Sequence, residues 1–307
     1  MKSTQKLNFW QKICLELLWL LCRGFAILPH FVRYGFFKYL IYWLLCYILR
    51  YRRKVIMQNL RNSFPDKSEG ELYQICKDSY LNLSEQIVSI LSQSGVSDET
   101  MLERLEVINA EETDKKLGDG NAIFMTAHYG PWEACIMMGL IFRRHELVGV
   151  YHKLENELME ELMKRIRRRT NSKLIDINAT MRYFLQNKDK NPMILGLISD
   201  QNPAYRPNLY WHRFLHQWSA FYDGAEVIAL KYKLPVFYFT PYKIKDGHYK
   251  GEYTMIYDGV EQVEPNVIME RYVRLLERDI NANPHMWMWS HRRWKHTPPQ
   301  ELLSQKI

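Results

Sequence analysis

Hydrophobic and polar positions divide the chain into three zones. The first fifty residues are apolar and aromatic, yet Lys12, Glu16, Arg23, Arg33 and Lys38 interrupt them often. No charge-free stretch there reaches the roughly 18 residues of a spanning helix. At about 100° per residue, Lys12, Glu16 and Arg23 share one helix face, while Leu17, Leu18, Trp19 and Leu21 occupy others. That is the pattern of a helix lying in a membrane interface, or of a short anchor with snorkelling ends. A turn at Asn62-Ser-Phe-Pro65 precedes the second zone, a helix opened by the capping box Ser68-x-x-Glu71 and continued by Leu72, Ile75, Leu81, Leu83 and Ile87. From Leu105 the period changes. Short apolar runs at 122–127, 147–151, 192–198 and 235–240 are separated by helical stretches at 155–169, 178–186 and 225–233. Alternation of this kind predicts an α/β fold, a mixed, largely parallel sheet flanked by helices with its site at the carboxyl ends of the strands. The zones predict three regions: an apolar helical, membrane-associating region over 1–55, a helical region over 56–104 packed on the rest, and a catalytic α/β domain over 105–307.

Charge and cysteine usage narrow the surroundings. The chain has 307 residues with 42 Lys and Arg against 34 Asp and Glu, a net charge of +8. Such a balance favours anionic lipid, an acidic carrier protein or another phosphate-bearing partner. The run Lys164, Arg165, Arg167, Arg168, Arg169 and Lys173 suits either sugar or pantetheine phosphates or an ordinary solvated helix face. It lacks interleaved aromatics, and the apolar N-terminus has no use in a nucleic-acid protein, so nucleic acid is not an expected partner. Five cysteines form no CxxC, and His285, His291 and His296 lack companion ligands, which indicates neither a disulfide framework nor a metal site. The cluster Arg50-Tyr-Arg-Arg-Lys54 after the second apolar run favours the cytoplasmic side, and there is no signal-peptide cleavage site.

The candidate chemistry begins at the end of the run 122–127. There the chain reads His128-Tyr-Gly-Pro-Trp-Glu133, a histidine at a strand end and a carboxylate five positions on. About one His-x4-Asp/Glu pair is expected by chance in this composition. Three occur, and only His128/Glu133 combines a buried strand with a Gly-Pro turn. A carboxylate bonded to one imidazole nitrogen fixes the tautomer and raises the basicity of the other, which then takes a proton from a hydroxyl or water. Glu133 is the expected partner of His128. Asp200, at the end of the run Met193 to Ile198, either orients a substrate beneath the aromatic segment that follows or serves as turn chemistry before Asn202-Pro203. Near the C-terminus, Trp287-Met-Trp-Ser-His-Arg-Arg-Trp-Lys295 mixes aromatics and cations, suited to rigid stacking or to an anion contact.

These separated segments together resemble the bacterial lipid A biosynthesis (lauroyl/myristoyl) acyltransferases of the lysophospholipid-acyltransferase-like superfamily. The family's His-x-Gly-x-Trp-Glu matches His128, Gly130, Trp132 and Glu133, and its Asp-Gln pair matches Asp200-Gln201. Its terminal Trp-x-Trp-x-His-Arg-Arg-x-Lys matches Trp287 to Lys295, and Asn59-Leu60 with Phe64-Pro65 match its upstream segment. The resemblance implies transfer of an acyl group from an acyl carrier protein or coenzyme A thioester to a hydroxyl of a membrane lipid, foremost a lipid A precursor, at the cytoplasmic face of the inner membrane and without a cofactor. It implies His128 as general base with Glu133 as its partner, and substrate contacts from Trp132, Arg169, Asp200, Gln201, Arg292 and Arg293. Two departures concern the acceptor: the family's Phe-Phe-Gly turn reads Arg213-Phe-Leu-His216, and its arginine after the third strand is replaced by His152-Lys153. A lysophospholipid or aminolipid acceptor, a metal-assisted lipid hydrolase and a non-catalytic membrane-associated binding protein are the alternatives.

Overall fold

The structure, a computed structural model, describes residues 7–205 and 209–303. Its centre is a seven-stranded sheet in the order β1-β9-β8-β2-β5-β3-β4, with β1 Leu105–Val107, β2 Ala122–Thr126, β3 Glu146–Tyr151, β4 Ser172–Asp176, β5 Met193–Ile198, β8 Val236–Lys245 and β9 His248–Tyr257. All neighbours pair in parallel except β8 and β9, which form an antiparallel hairpin. The sheet is therefore mixed and largely parallel, and helices flank it. Every residue of β2 is buried, which is why its sequence is a continuous apolar run with no alternation. Ile123 and Met125 face a core made with the helix Val267–Ala282, through Ile268, Tyr272 and Leu276. Ala122 and Phe124 face a second core with Ile136, Met138, Phe142 and Tyr253.

The helical runs expected at 155–169, 178–186 and 225–233 appear as Glu157–Arg167, Ile177–Asn187 and Gly224–Tyr232. Both bonds of the Ser68 capping box are made: the Glu71 amide donates to Ser68 Oγ at 3.3 Å, and the Ser68 amide donates to Glu71 Oε2 at 2.8 Å. The helix they open runs over Glu69–Leu91.

In the N-terminal helix Phe9–Ile27 apolar residues lie on the outer face as well as the inner one. Leu15, Cys22 and Ala26 face the protein, while Phe9, Trp10, Leu17, Leu20 and Leu21 are exposed. A second apolar helix, Phe31–Ile48, meets it at 106° after Pro29. Among the described residues no single helix is long and apolar enough to cross a membrane, although this bent pair qualifies together by length and composition.

A separate hairpin, β6 Tyr210–Phe214 and β7 Gln217–Phe221, turns through Leu215 and His216. Both have positive φ, 48° and 65°, the requirement of a two-residue hairpin turn and one usually met by Asn or Gly. Leu215 is fixed there by its buried side chain and by its backbone N–H, which donates to Glu277 Oε1 at 2.6 Å. His216 is exposed and carries the left-handed strain without such compensation. His216→Gly is therefore expected to stabilise the protein by about 0.5–1 kcal/mol, allowing for the glycine's own unfolded-state entropy, and thermal unfolding of the two proteins checks it.

Candidate active site

Strands β2 and β5 lie side by side, Thr126 opposite Ile198, and deliver His128 and Asp200 two residues beyond these ends. The Asp200 carboxylate is buried and accepts three hydrogen bonds. Its Oδ1 takes the His128 backbone amide at 3.0 Å and His128 Nδ1 at 2.8 Å, and its Oδ2 takes the indole Nε1 of Trp287 at 2.8 Å. Burial alone would raise the Asp200 pKa. The attraction of His128 and the bonds from His128 and Trp287 outweigh it and hold the carboxyl below its ordinary range. An ionised carboxylate only accepts, so the imidazole carries its proton on Nδ1 and leaves the Nε2 lone pair free to accept. That lone pair faces the Gln201 side-chain amide at 3.1 Å.

This arrangement corrects the expected pairing of His128 with Glu133. Pro131 is followed by a 3₁₀ turn over Trp132–Met137, which directs Glu133 toward the helix Glu157–Arg167. There it forms a two-pronged ion pair with Arg167, at 2.6 and 2.8 Å. Burial would lower the Arg167 pKa, and its bonds to Glu133 raise it beyond that loss. The pair stands at the mouth of the same cleft as His128, so the two carboxylates have different partners within one site.

The loop after β2 is held from below by the C-terminal tryptophan segment. Gly130 has φ +57°, and a Cβ there would crowd the Met286 methyl at 2.8 Å and Pro241 at 3.3 Å, so this position favours glycine. The Gly130 amide donates to the Met286 carbonyl at 3.0 Å, and the Met288 amide to the His128 carbonyl at 3.0 Å. Asn59 Nδ2 donates to the carbonyls of Trp289 and His291, and Phe64 packs on Trp289 at 5.7 Å between centroids. Segments far apart in sequence thus meet around one loop.

The cleft has a volume of about 620 Å³. His128, Trp132, Glu133, Arg167 and Gln201 stand among its lining residues, and apolar side chains such as Phe124, Ile136, Leu147 and Leu174 line its depth. The Trp132 ring lies 5.6 Å from the imidazole.

Four expected substrate contacts are placed elsewhere. Asp200 is buried beneath His128, outside the cleft lining, with its oxygens taken by His128 and Trp287. Arg169 bonds the carbonyls of Gln93 and Arg168 away from the cleft, because the helix ends at Arg167 and the extended residue Arg168 redirects the chain before Arg169. Arg292 is exposed, also outside the cleft. Arg293 is 1% exposed, with its guanidinium 4.3 Å from the Phe221 ring centre, and lies behind the site. Burial pulls its pKa down to about 10, against the opposing pull of Asp200 and Tyr272. Of the basic run Lys164 to Lys173, the structure brings Arg167 to the cleft, seven residues, two turns, after Glu160, which accepts from the Tyr151 hydroxyl of the cleft wall at 2.5 Å. Membership of that run was its signal in the sequence, and the run did not single it out. Among the described residues no group of three or more His, Cys, Asp or Glu is placed to hold a metal ion.

A histidine at a strand end, oriented by a buried carboxylate above a deep apolar cleft, is an arrangement suited to activating a hydroxyl beside a long hydrocarbon. Comparison with known proteins agrees. The chain is 24% identical over 302 residues to a lipid A biosynthesis acyltransferase of Haemophilus influenzae, covering 93% of this chain and 89% of that protein. The sequence pattern of the bacterial lipid A biosynthesis acyltransferases matches residues 2–296, and the chain belongs to that family of acyltransferase enzymes.

Proposed function

We propose that the enzyme moves a fatty acyl chain from an acyl carrier protein or coenzyme A thioester to a hydroxyl of a lipid A precursor, with His128 as general base. The observation that carries this reading is the Nδ1 bond to buried Asp200, which leaves Nε2 as the proton acceptor at the mouth of an apolar cleft. The acceptor hydroxyl takes the place of the Gln201 amide at Nε2 and gives up its proton as its oxygen attacks the thioester carbonyl. The tetrahedral oxyanion collapses, the carbon–sulfur bond breaks, and the imidazolium returns the proton to the departing thiolate. Asp200 holds the imidazole and opposes the positive charge formed on it. No covalent acyl-enzyme and no cofactor is needed. Glu133 and Arg167, at the same mouth, position the substrate's polar end and are not the base pair.

The exposed large side chains of Phe9–Ile27 and Phe31–Ile48 support a membrane role for residues 1–55. We place that role at the cytoplasmic face of the inner membrane, with residues 56–104 packed on a catalytic domain over 105–307.

His128→Ala is expected to lower transfer at least about 10²-fold, the usual worth of a general base, with circular dichroism unchanged. Near-normal transfer by a folded His128→Ala protein would remove the mechanism. Asp200→Asn should act chiefly on kcat, because an amide at that place favours the wrong imidazole tautomer. Glu133→Gln should raise KM more than it lowers kcat if the Glu133–Arg167 pair positions substrate. In cells, mass spectrometry of lipids should show lipid A lacking one acyl chain both after gene deletion and with His128→Ala. Unaltered lipid A with a changed phospholipid or aminolipid pool would reassign the acceptor. Replacing Leu17, Leu20 and Leu21 by Glu should release the protein from vesicles of anionic phospholipid while leaving its folded spectrum intact, measured by co-sedimentation.

A further inference from the structure

Two glycines lie side by side in the middle of the sheet. In register across four strands, Phe124 of β2 stands opposite Gly196 of β5, Gly196 opposite Gly149 of β3, and Gly149 opposite Leu174 of β4. Partners in such a row point to the same face, so between Phe124 and Leu174 the row itself contributes no side chain, and only the ends of Leu147, Leu174 and Ile136 reach over it. Both glycines line the cleft.

Glycine inside a strand weakens it and ordinarily marks an unusual backbone angle or a close approach. Neither reason holds here. Neither residue has positive φ. A Cβ on Gly196 would meet its nearest neighbour, the Leu147 side chain, at 3.5 Å, an ordinary contact. A Cβ on Gly149 would meet the far end of the Leu174 side chain at 3.2 Å and Ile136 at 3.7 Å, which a small shift of Leu174 relieves. The fold would accept alanine at both positions, and what alanine would occupy is the floor of the cleft. Gly196 lies two residues below the strand end at Ile198, about 7 Å at strand spacing, and therefore well below the mouth where His128 stands.

We infer that the Gly149–Gly196 pair is the specificity-determining floor of the groove for the donor acyl chain, and that its missing side chains set how long an acyl group the enzyme accepts. The inference rests on the acyl-transfer reading above. Hydrocarbon lying across this row contacts bare backbone between Phe124 and Leu174, and a single methyl rising from the floor shortens the groove.

The test uses the full-length enzyme in detergent or vesicles, one fixed lipid acceptor and acyl thioesters of ten, twelve, fourteen and sixteen carbons. The quantity read is the ratio of kcat/KM for the longest productive donor to that for the shortest. Gly196→Ala and Gly149→Ala should each lower this ratio by about 10-fold or more, the usual discrimination of one methyl group in an apolar pocket. Leu174→Ala, which lengthens the same row, should raise it. Gly70→Ala, on a helix outside the cleft with only Ser68 Oγ at 4.0 Å, should leave it unchanged. Thermal unfolding separates these effects from misfolding, since Gly196→Ala should melt no lower than the parent. A folded Gly196→Ala protein with the parent's chain-length profile would overturn the assignment of the floor while leaving acyl transfer standing. A parent enzyme that transfers no acyl group from any thioester would overturn the reading on which it rests.

Discussion

A carboxylate taken out of water must be compensated by hydrogen bonds and opposite charge, and removing one partner of such a buried arrangement typically costs about 3–5 kcal/mol. Asp200 is that carboxylate here, and its three donors come from two other parts of the chain: the loop after β2 supplies the His128 amide and ring, and the C-terminal segment supplies Trp287. Satisfying it obliges β2, β5 and the Trp287–Lys295 segment to meet. That segment in turn needs Asn59 for its carbonyls and Phe64 for its packing. Behind Asp200 lies the buried guanidinium of Arg293, stacked over Phe221 and electrostatically coupled to the carboxylate, with no hydrogen-bond partner among the described residues. Aromatic faces hold this cation where a salt bridge would otherwise compete with His128 for the oxygens of Asp200.

Two acidic groups serve one site, and their environments keep them apart in role. Asp200 is fully enclosed and bound to the imidazole; Glu133 is partly open and bound by both prongs to Arg167. If Glu133 were unpaired at the mouth, a second negative charge would lie beside a cleft where, on the proposed mechanism, an oxyanion develops. Pairing with Arg167 removes that repulsion and presents a cation on a rigid fork. The five-residue spacing between His128 and Glu133 is thus read differently once the backbone is seen. A 3₁₀ turn after Pro131 directs the carboxylate to the neighbouring helix, away from the imidazole that precedes it in sequence.

The strongly apolar elements were legible: β2 and the starts of β5 and β8 are continuous buried runs, and the capping box at Ser68 states its helix boundary outright. Other elements left little trace. β4 is Ser-Lys-Leu-Ile-Asp at a sheet edge, half-exposed and carrying a lysine, so neither alternation nor burial marks it. The β6–β7 turn uses Leu215 and His216 where turn chemistry would call for Asn or Gly. At the site, His128, Trp132, Gln201 and Asp200 were recognisable as residues, but their partners were not, because pairing depends on side-chain direction at the ends of different strands. Arg167 and Arg169 differ by two residues, yet the helix ends at Arg167 and Arg168 is extended, so one faces the cleft while the other binds the carbonyl of Gln93.

The orientation of the apolar N-terminal helices follows from charge as well as from packing. Lys38, buried within the second helix, pairs with Asp246 at the turn of the β8–β9 hairpin, and Asp246 also pairs with Lys243. Lys243 reaches Glu85 of the long helix Glu69–Leu91, and the same Glu85 accepts from the Tyr249 hydroxyl at 2.6 Å. On the other side, Glu16 of the first helix forms a two-pronged pair with Arg165, two residues from Arg167. The helices that expose Trp10, Leu17, Leu20 and Trp43 are therefore fastened both to the sheet and to the helix that lines the cleft mouth. A free amphipathic anchor would let the catalytic body tumble above a lipid surface. These buried and two-pronged pairs instead carry the orientation of the apolar face through to β8, which neighbours β2, and so to His128 at its end. On the proposed reading, a lipid hydroxyl arriving from that face meets the imidazole in a fixed geometry, and the entropy of aligning the two is lost once, during folding, rather than at every turnover.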